Sequence, residues 1–213
     1  MKLEDLHNKA EGLGEVEQLK VVILELGQIA EERGVEVEEL KEALEEAIEQ
    51  ARKDSLTGIL NRGGFEMEVE RRKQSKTSII FIDVDDFKSI NDTYGHDVGD
   101  RVLQIIARVI DKVARAGDEL VRLPEAITGR IGGDEFAIAL PGADEKGAEE
   151  ALRKIVKAVE YTPIEVEREV DGEIIKEVIF MKISGGVGES MGGADEEMYE
   201  EKKRRREEEN APE

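Results

Sequence analysis

Apolar positions recur along the chain at two different periods. Leu13, Val16, Leu19, Val22, Ile23, Leu26 and Ile29 fall three and four residues apart, the spacing of one helical face. Gly34, just after Arg33, is placed to end that helix. A second helical pattern restarts near Val35 and carries Val37, Leu40, Leu44, Ile48 and Ala51, with Glu, Lys, Gln or Arg at nearly every outward position. Residues 1–53 are therefore expected to form a helical amino-terminal segment, either an amphipathic hairpin or a broken coiled coil. Two roles stand open for it, a helical pair packed on the main domain or a dimerisation stalk. The heptads are too few to separate them.

From Asp54 the period changes. Residues 78–84, Ser-Ile-Ile-Phe-Ile-Asp-Val, form a short apolar run rich in β-branched side chains and predict a buried strand. Val102, Leu103, Ile105, Ile106, Val109, Ile110 and Val113 return to helical spacing. Residues 127–132 and 135–140 read as two strands around a Gly133-Asp134 turn, and 148–159 as a further helix. Residues 164–170 and 174–183 are strand-like around Asp171-Gly172, a strong hairpin signal. A last helix is expected from near Ala194 to Arg206, then a flexible acidic tail over 207–213. Interleaved strands and helices with a hairpin in mid-chain predict an α+β sandwich, with helices over a mixed or antiparallel sheet.

Composition narrows the classes. The 213 residues are 39% hydrophobic and 39% charged, which fits a folded chain rather than a disordered one. No apolar run approaches the roughly 20 residues that cross a bilayer. Nor does Met1-Lys2-Leu3-Glu4-Asp5 have the basic-then-apolar layout of a secretion signal, so a cytoplasmic location and no membrane insertion are expected. With no cysteine, disulfides and thiol chemistry are excluded. The net charge of -21 repels a nucleic acid backbone, and no nucleic acid partner is expected. A nucleotide would be repelled too, unless its site supplied lysine, arginine or metal charge.

Three polar clusters carry candidate chemistry. Asp83-Val84-Asp85 ends the first predicted strand; two acids spaced i and i+2 can share a hard cation with the intervening carbonyl, although an Asp in that place is more often a cap. Gly132-Gly133-Asp134-Glu135 fills the predicted hairpin turn. Its glycines let a phosphate approach the backbone, and its acids would repel that phosphate unless Mg²⁺ lay between them. By itself Gly-Gly-Asp is an ordinary polar turn. The third cluster, residues 87–100, reads as a polar loop with two glycines, in which Asn91 and Asp100 could read a guanine edge and Lys88 could meet phosphate.

Asp54-Ser-Leu-Thr-Gly-Ile-Leu-Asn-Arg62, Asp83-Val-Asp-Asp-Phe-Lys-Ser-Ile-Asn-Asp-Thr-Tyr-Gly-His-Asp-Val-Gly-Asp100, Arg130-Ile-Gly-Gly-Asp-Glu-Phe136, Ser184-Gly-Gly186 and Ala194-Asp-Glu-Glu-Met-Tyr-Glu-Glu-Lys202 resemble, in order, the motifs of the diguanylate cyclase (GGDEF) family. The resemblance covers residues 54–206. It implies a palm-like fold shared with nucleotidyl cyclases, a central, mostly antiparallel sheet flanked by helices. It also implies two GTP-loaded domains facing each other as a homodimer, at least transiently, and cyclic di-GMP as product. By motif match, Asp83, the Val84 carbonyl, Asp134 and Glu135 would hold Mg²⁺, with Mn²⁺ an alternative. Asp134, Glu135 and Lys88 would be the catalytic groups. Asn91 and Asp100 would read guanine, with His96, Gly132 and Gly133 beside the substrate and Lys88, Lys202 and Arg206 neutralising the triphosphate. A silent module that binds GTP or cyclic di-GMP and signals through the amino-terminal helices is the alternative.

The match departs in two places. The family's inhibitory product site is an Arg-x-x-Asp shortly before the signature, for which Arg115 and Asp118 qualify. An insertion, however, displaces the following Arg by eight positions, from Arg122 to Arg130. Counting back from Gly132 instead finds Leu123 and Ala126 in those places. Two readings follow, an inhibitory site around a bulged insert or an Arg–Asp surface pair, and the insertion weighs toward the second. In the last helix, Glu197 and Glu201 replace small inward residues and Arg205 replaces a common glycine, so an unbroken helix there could aim Arg206 away from the phosphates.

Overall fold

The computed structural model describes residues 24, 27, 37–72, 76–115, 126–170 and 173–209. The chain divides into two units, Met1–Arg52 and Lys53–Glu213. In the first, helix α1 (Val37–Ala51) realises the second helical pattern. Across residues 41–51 only Leu44 and Ile48, four apart on one face, are half-buried. The first helical pattern and its Gly34 stop lie outside the described residues, apart from the helical positions Leu24 and Gly27.

The second unit runs β1 (Leu60–Asn61), α2 (Arg62–Arg71), β2 (Thr77–Val84), α3 (Phe87–Tyr94), α4 (His96–Arg115), β3 (Ile127–Arg130), β4 (Glu135–Pro141), α5 (Glu145–Glu160), β5 (Ile164–Val170), β6 (Glu173–Ile179), β7 (Ile183–Gly188) and α6 (Met191–Glu209). Five strands form one sheet in the order β1-β3-β4-β2-β7, and β5 and β6 pair as a separate hairpin. Every pairing is antiparallel except β1 with β3. The α+β architecture expected from the sequence is the one observed.

Strand β2 organises the sheet because both of its faces are apolar, so it can be covered on both sides. Ile80, Ile82 and Val84 join Val102, Leu103, Ile106 and Ile110 of α4 and Ile155 and Val159 of α5 in the larger core. On the opposite face Ile79 and Phe81 meet Phe65 of α2 and Ala194 and Met198 of α6. At about 25 cal/mol per Å² of apolar surface removed from water, this two-sided burial is the main stabilising term of the unit.

Several elements differ from the sequence reading, each for a physical reason. The stretch 87–100 is no loop. It is helix α3 and the start of α4, separated at Gly95, whose φ of 87° a side chain would resist. Phe87, Ile90 and Tyr94 pack on the larger core from one side of α3, a stripe hidden among polar residues. Strand β1 and helix α2 lie where no element is predicted. The apolar run 174–183 serves two sheets, because the hairpin ends at Ile179 and β7 starts at Ile183. Strand β7 is rich in glycine, Ser184-Gly-Gly-Val-Gly188, which composition would assign to a turn. Strand β3 stops at Arg130 rather than Gly132, leaving residues 131–134 as the turn.

Helix α6 starts at Met191 and runs unbroken through Glu209, so the first three residues of the expected tail are helical and 210–213 lie outside the described residues. Glu197 turns its carboxylate to the backbone N–H of Val187 on β7, the last strand of the sheet, instead of occupying the place of a small packing residue. Arg115 ends α4 and pairs with Asp111, which also accepts from Thr128 of β3. Asp118, Arg122 and Leu123 lie outside the described residues; of the eight displaced positions 126–130 are described, Ala126 buried and Ile127–Arg130 forming β3. Among the described residues no helix is long and apolar enough to cross a membrane.

Candidate active site

Pairing register brings the two acidic clusters together. Asp83, one residue before the end of β2, lies opposite Glu135 at the start of β4 on one side and Ser184 of β7 on the other. The turn between β3 and β4 then folds back onto β2, the Val84 N–H donating to the Asp134 carbonyl at 3.1 Å. Alternation along β2 puts Asp83 on the same face as Ile79 and Phe81, the face covered by α6. Lys202 of α6 meets it there, its ammonium bonded to the Asp83 carboxylate and 3.6 Å from Asp85.

Asp85 is turned aside. Its carboxylate accepts from the Ser184 hydroxyl at 2.8 and 3.1 Å, so Asp85 is held by β7 while sharing the Lys202 ammonium with Asp83. Among the described residues no three acidic or histidine side chains converge on one point.

Electrostatics mark the cluster as short of positive charge. Burial pushes the Asp83 carboxyl above its ordinary value, Lys202 pulls it back, and Asp134 and Asp85 push it up again. Burial also raises Glu135, and the neighbouring Asp83, Asp134 and Asp195 add to it against Arg62. Like charges gathered at a half-buried strand end favour whatever cation can sit between them. Two carboxylates and a backbone carbonyl suit Mg²⁺, which takes one or two protein acids and fills its remaining positions with water and phosphate oxygens.

The Gly-Gly turn is held from behind by groups to which the sequence reading gave no role. Arg130 donates to the Gly133 carbonyl at 3.1 and 2.7 Å and pairs with Asp54 at 3.1 Å. Arg62 donates to the Ile131 carbonyl at 3.1 Å. Burial would raise Asp54, but hydrogen bonds from Thr57 and Arg130 outweigh it, and the carboxyl ends below its ordinary value. All four lie inside or beside the quoted motifs, so the available signal was position in the motif rather than residue chemistry.

The remaining candidates sit on α3, α4 and α6. Lys88, His96 and Asp100 are exposed, and Asn91 is half-buried. A Cβ at Gly99 would lie 1.9 Å from Asn91 Oδ1, so Gly99 makes the room in which the Asn91 side chain rests. Because α6 is unbroken, Arg206 follows Lys202 by one turn of the same helix, and its side chain lies outside the described residues.

The family described as "Diguanylate cyclase, GGDEF domain" matches residues 51–208. The chain belongs to this family. It is 35% identical over 109 residues to the probable diguanylate cyclase DgcC of Escherichia coli strain K12, across 48% of this chain and 27% of that protein. To the probable diguanylate cyclase DgcF of the same strain it is 33% identical over 138 residues, 63% of this chain and 39% of that protein. The chain thus spans well under half the length of these curated GGDEF relatives. Among solved structures, the coiled coil and GGDEF domain of DgcB from Caulobacter crescentus, in complex with c-di-GMP, superposes with a TM-score of 0.65 at 30% identity, covering 83% of this chain and 93% of that one. The diguanylate cyclase SiaD of Pseudomonas aeruginosa, solved with its activator SiaC, gives a TM-score of 0.59 at 27% identity, covering 94% and 76%.

Proposed function

We propose that this GGDEF chain condenses two GTP into cyclic di-GMP, across a transient homodimer of residues 54–206 and with Mg²⁺ or Mn²⁺ bound. The observation that supports it most is the Asp83–Glu135 register with Lys202 against it, carboxylates and a cation gathered at one strand end. Each 3′-hydroxyl oxygen attacks the α-phosphorus of the other nucleotide. The bond from that phosphorus to the bridging oxygen breaks, and each transfer releases one pyrophosphate. Little covalent chemistry is asked of the protein; positioning and charge neutralisation carry the reaction.

Asp83, the Val84 carbonyl, Asp134 and Glu135 would hold the divalent ion, which when bound neutralises triphosphate charge and polarises the phosphoryl group. Asp134 or Glu135 takes the proton leaving the 3′-hydroxyl. Lys88, Lys202 and Arg206 face the phosphates, and Gly132 and Gly133 admit them to the backbone. Asp100 accepts from guanine N1–H and N2–H₂, while adenine's N1 offers only an acceptor, so GTP is preferred over ATP. Asn91 and His96 lie beside the base. For residues 1–53 the two roles stay open, a helical pair packed on the main domain or a stalk through which copies pair, and the setting proposed is cytoplasmic.

Purified protein incubated with GTP and Mg²⁺, its products resolved by chromatography and mass, tests this directly. Cyclic di-GMP from the native chain and none from Asp83→Ala is the expected result. Tight GTP binding without product, at concentrations that force pairing, replaces the cyclase reading with the silent binding module.

A further inference from the structure

We infer that the β5–β6 hairpin is a brace that sets the spacing between the guanine-facing helices α3 and α4, with Tyr94, Glu177 and Arg101 as its positioning residues. This rests on the assignment of Asn91 and Asp100 to guanine.

Three observations converge. First, α3 is weakly held. It has eight residues, none of them fully buried, and is seated by the half-buried stripe Phe87, Ile90 and Tyr94 and by Asn91 against Gly99 of α4. A helix this short has little stability of its own and takes its position from tertiary contacts. Second, the hairpin grips its end. Tyr94, the last residue of α3, donates its hydroxyl to Glu177 Oε2 on β6 at 3.3 Å, and Arg168 of β5 bonds the other oxygen of the same carboxylate. Asn91 lies one turn before Tyr94, and its carbonyl accepts from the Gly95 N–H at 2.9 Å. Third, the hairpin also reaches α4. Arg101, adjacent to Asp100, donates to the Glu165 carbonyl of β5 at 3.2 Å.

Glu177 itself breaks a local rule. Alternation along the hairpin turns Ile164, Val166 and Ile179 to the core, and Glu177 pairs with Val166 on that inward face. An acid there costs desolvation unless it is partnered, and its partners are Arg168 and the helix carrying Asn91. Burial and the Glu177 carboxylate both raise the Tyr94 hydroxyl above its ordinary value, consistent with a phenol that keeps its proton and donates it.

The brace acts on geometry rather than chemistry, so its loss separates binding from turnover. Tyr94→Phe keeps the ring in place and removes only the donor. KM for GTP should rise about fivefold, the worth of one hydrogen bond, with kcat within about twofold. The preference for GTP over inosine triphosphate, which lacks the 2-amino group, should narrow to match. Glu177→Ala should act alike, the Tyr94→Phe/Glu177→Ala pair should be no worse than Glu177→Ala alone, and Arg101→Ala should narrow the same preference from the α4 side. Hydrogen exchange on the nucleotide-free protein gives a readout independent of activity, with faster exchange at the Gly95 amide in Tyr94→Phe while β2 stays protected. A fall in kcat at unchanged KM, additive effects in the double variant, or unaltered exchange at Gly95 would overturn the brace. A native chain that makes no cyclic di-GMP would instead overturn the cyclase reading, leaving the exchange result to decide the brace.

Discussion

The molecule uses two glycine pairs for opposite purposes. At Gly186 on β7 a side chain is excluded by backbone that cannot yield, while the nearest neighbour at Gly185 is the end of a side chain. A Cβ on Gly186 would lie 2.3 Å from both the Ala194 carbonyl and the Met198 amide of α6, and one on Gly185 would lie 2.6 Å from Leu152. At Gly132-Gly133 the space is open. A Cβ on Gly133 would meet nothing within 4 Å, and one on Gly132 would meet chiefly the Glu135 carboxylate, the movable end of a side chain. The first pair is bare so that a helix can lie against a strand. The second is bare although no packing demands it, which is what a surface kept free for a ligand requires. Identical dipeptides therefore say nothing until the neighbours are known.

The contrast can be broken at either pair. Gly186→Ala must push α6 off the sheet and should cost about 3 kcal/mol, lowering the melting temperature by roughly 6–12 °C. A loss under ~0.5 kcal/mol would mean that the helix does not rest on this strand. Gly133→Ala should leave stability within ~0.5 kcal/mol yet reduce cyclic di-GMP formation about tenfold or more, because in the proposed reaction its methyl would face the incoming phosphate. Full activity in that variant would remove the ligand-facing reading of the turn.

Charge sharpens the comparison by a smaller margin. Glu135 sits above its ordinary value of 4.5 in the fold, so its contribution to stability is present below that pH and lost as pH rises through the raised value. Without divalent metal at neutral pH, Glu135→Gln should therefore raise the melting temperature, by ~1 °C since water screens a half-exposed carboxylate. The difference should vanish on acidification below the ordinary carboxylate range, and added Mg²⁺ should favour the native chain. A native protein more stable than the variant without metal would show that Glu135 is already neutralised.

Much of this was legible in the sequence wherever one physical demand governed a segment. Strand β2 has apolar side chains on both faces and α4 a clean apolar stripe, and both fall where the pattern predicts them. The acidic candidates Asp83 and Glu135 followed from motif, and register sets them side by side. Legibility failed where a segment answered to two demands at once. Helix α3 must keep Phe87, Ile90 and Tyr94 inward while presenting Lys88 and Asn91, and the polar majority reads as a loop. Strand β7 must be extended yet nearly bare of side chains, and beyond Ile183 its glycines give no strand signal. The support behind the Gly-Gly turn, Arg130 with Asp54 and Arg62, joins residues far apart in the chain and has no local signature at all.

The Glu197 carboxylate on the Val187 N–H has a consequence for colloidal behaviour. Strand β7 borders the sheet, and a bordering strand with open amides is a template on which a stray chain can add itself. By taking that donor, and by bringing negative charge to the rim, Glu197 makes the border a poor template. A protein whose proposed chemistry requires two copies to meet face to face thus offers one open amide fewer to a copy that meets it at this border.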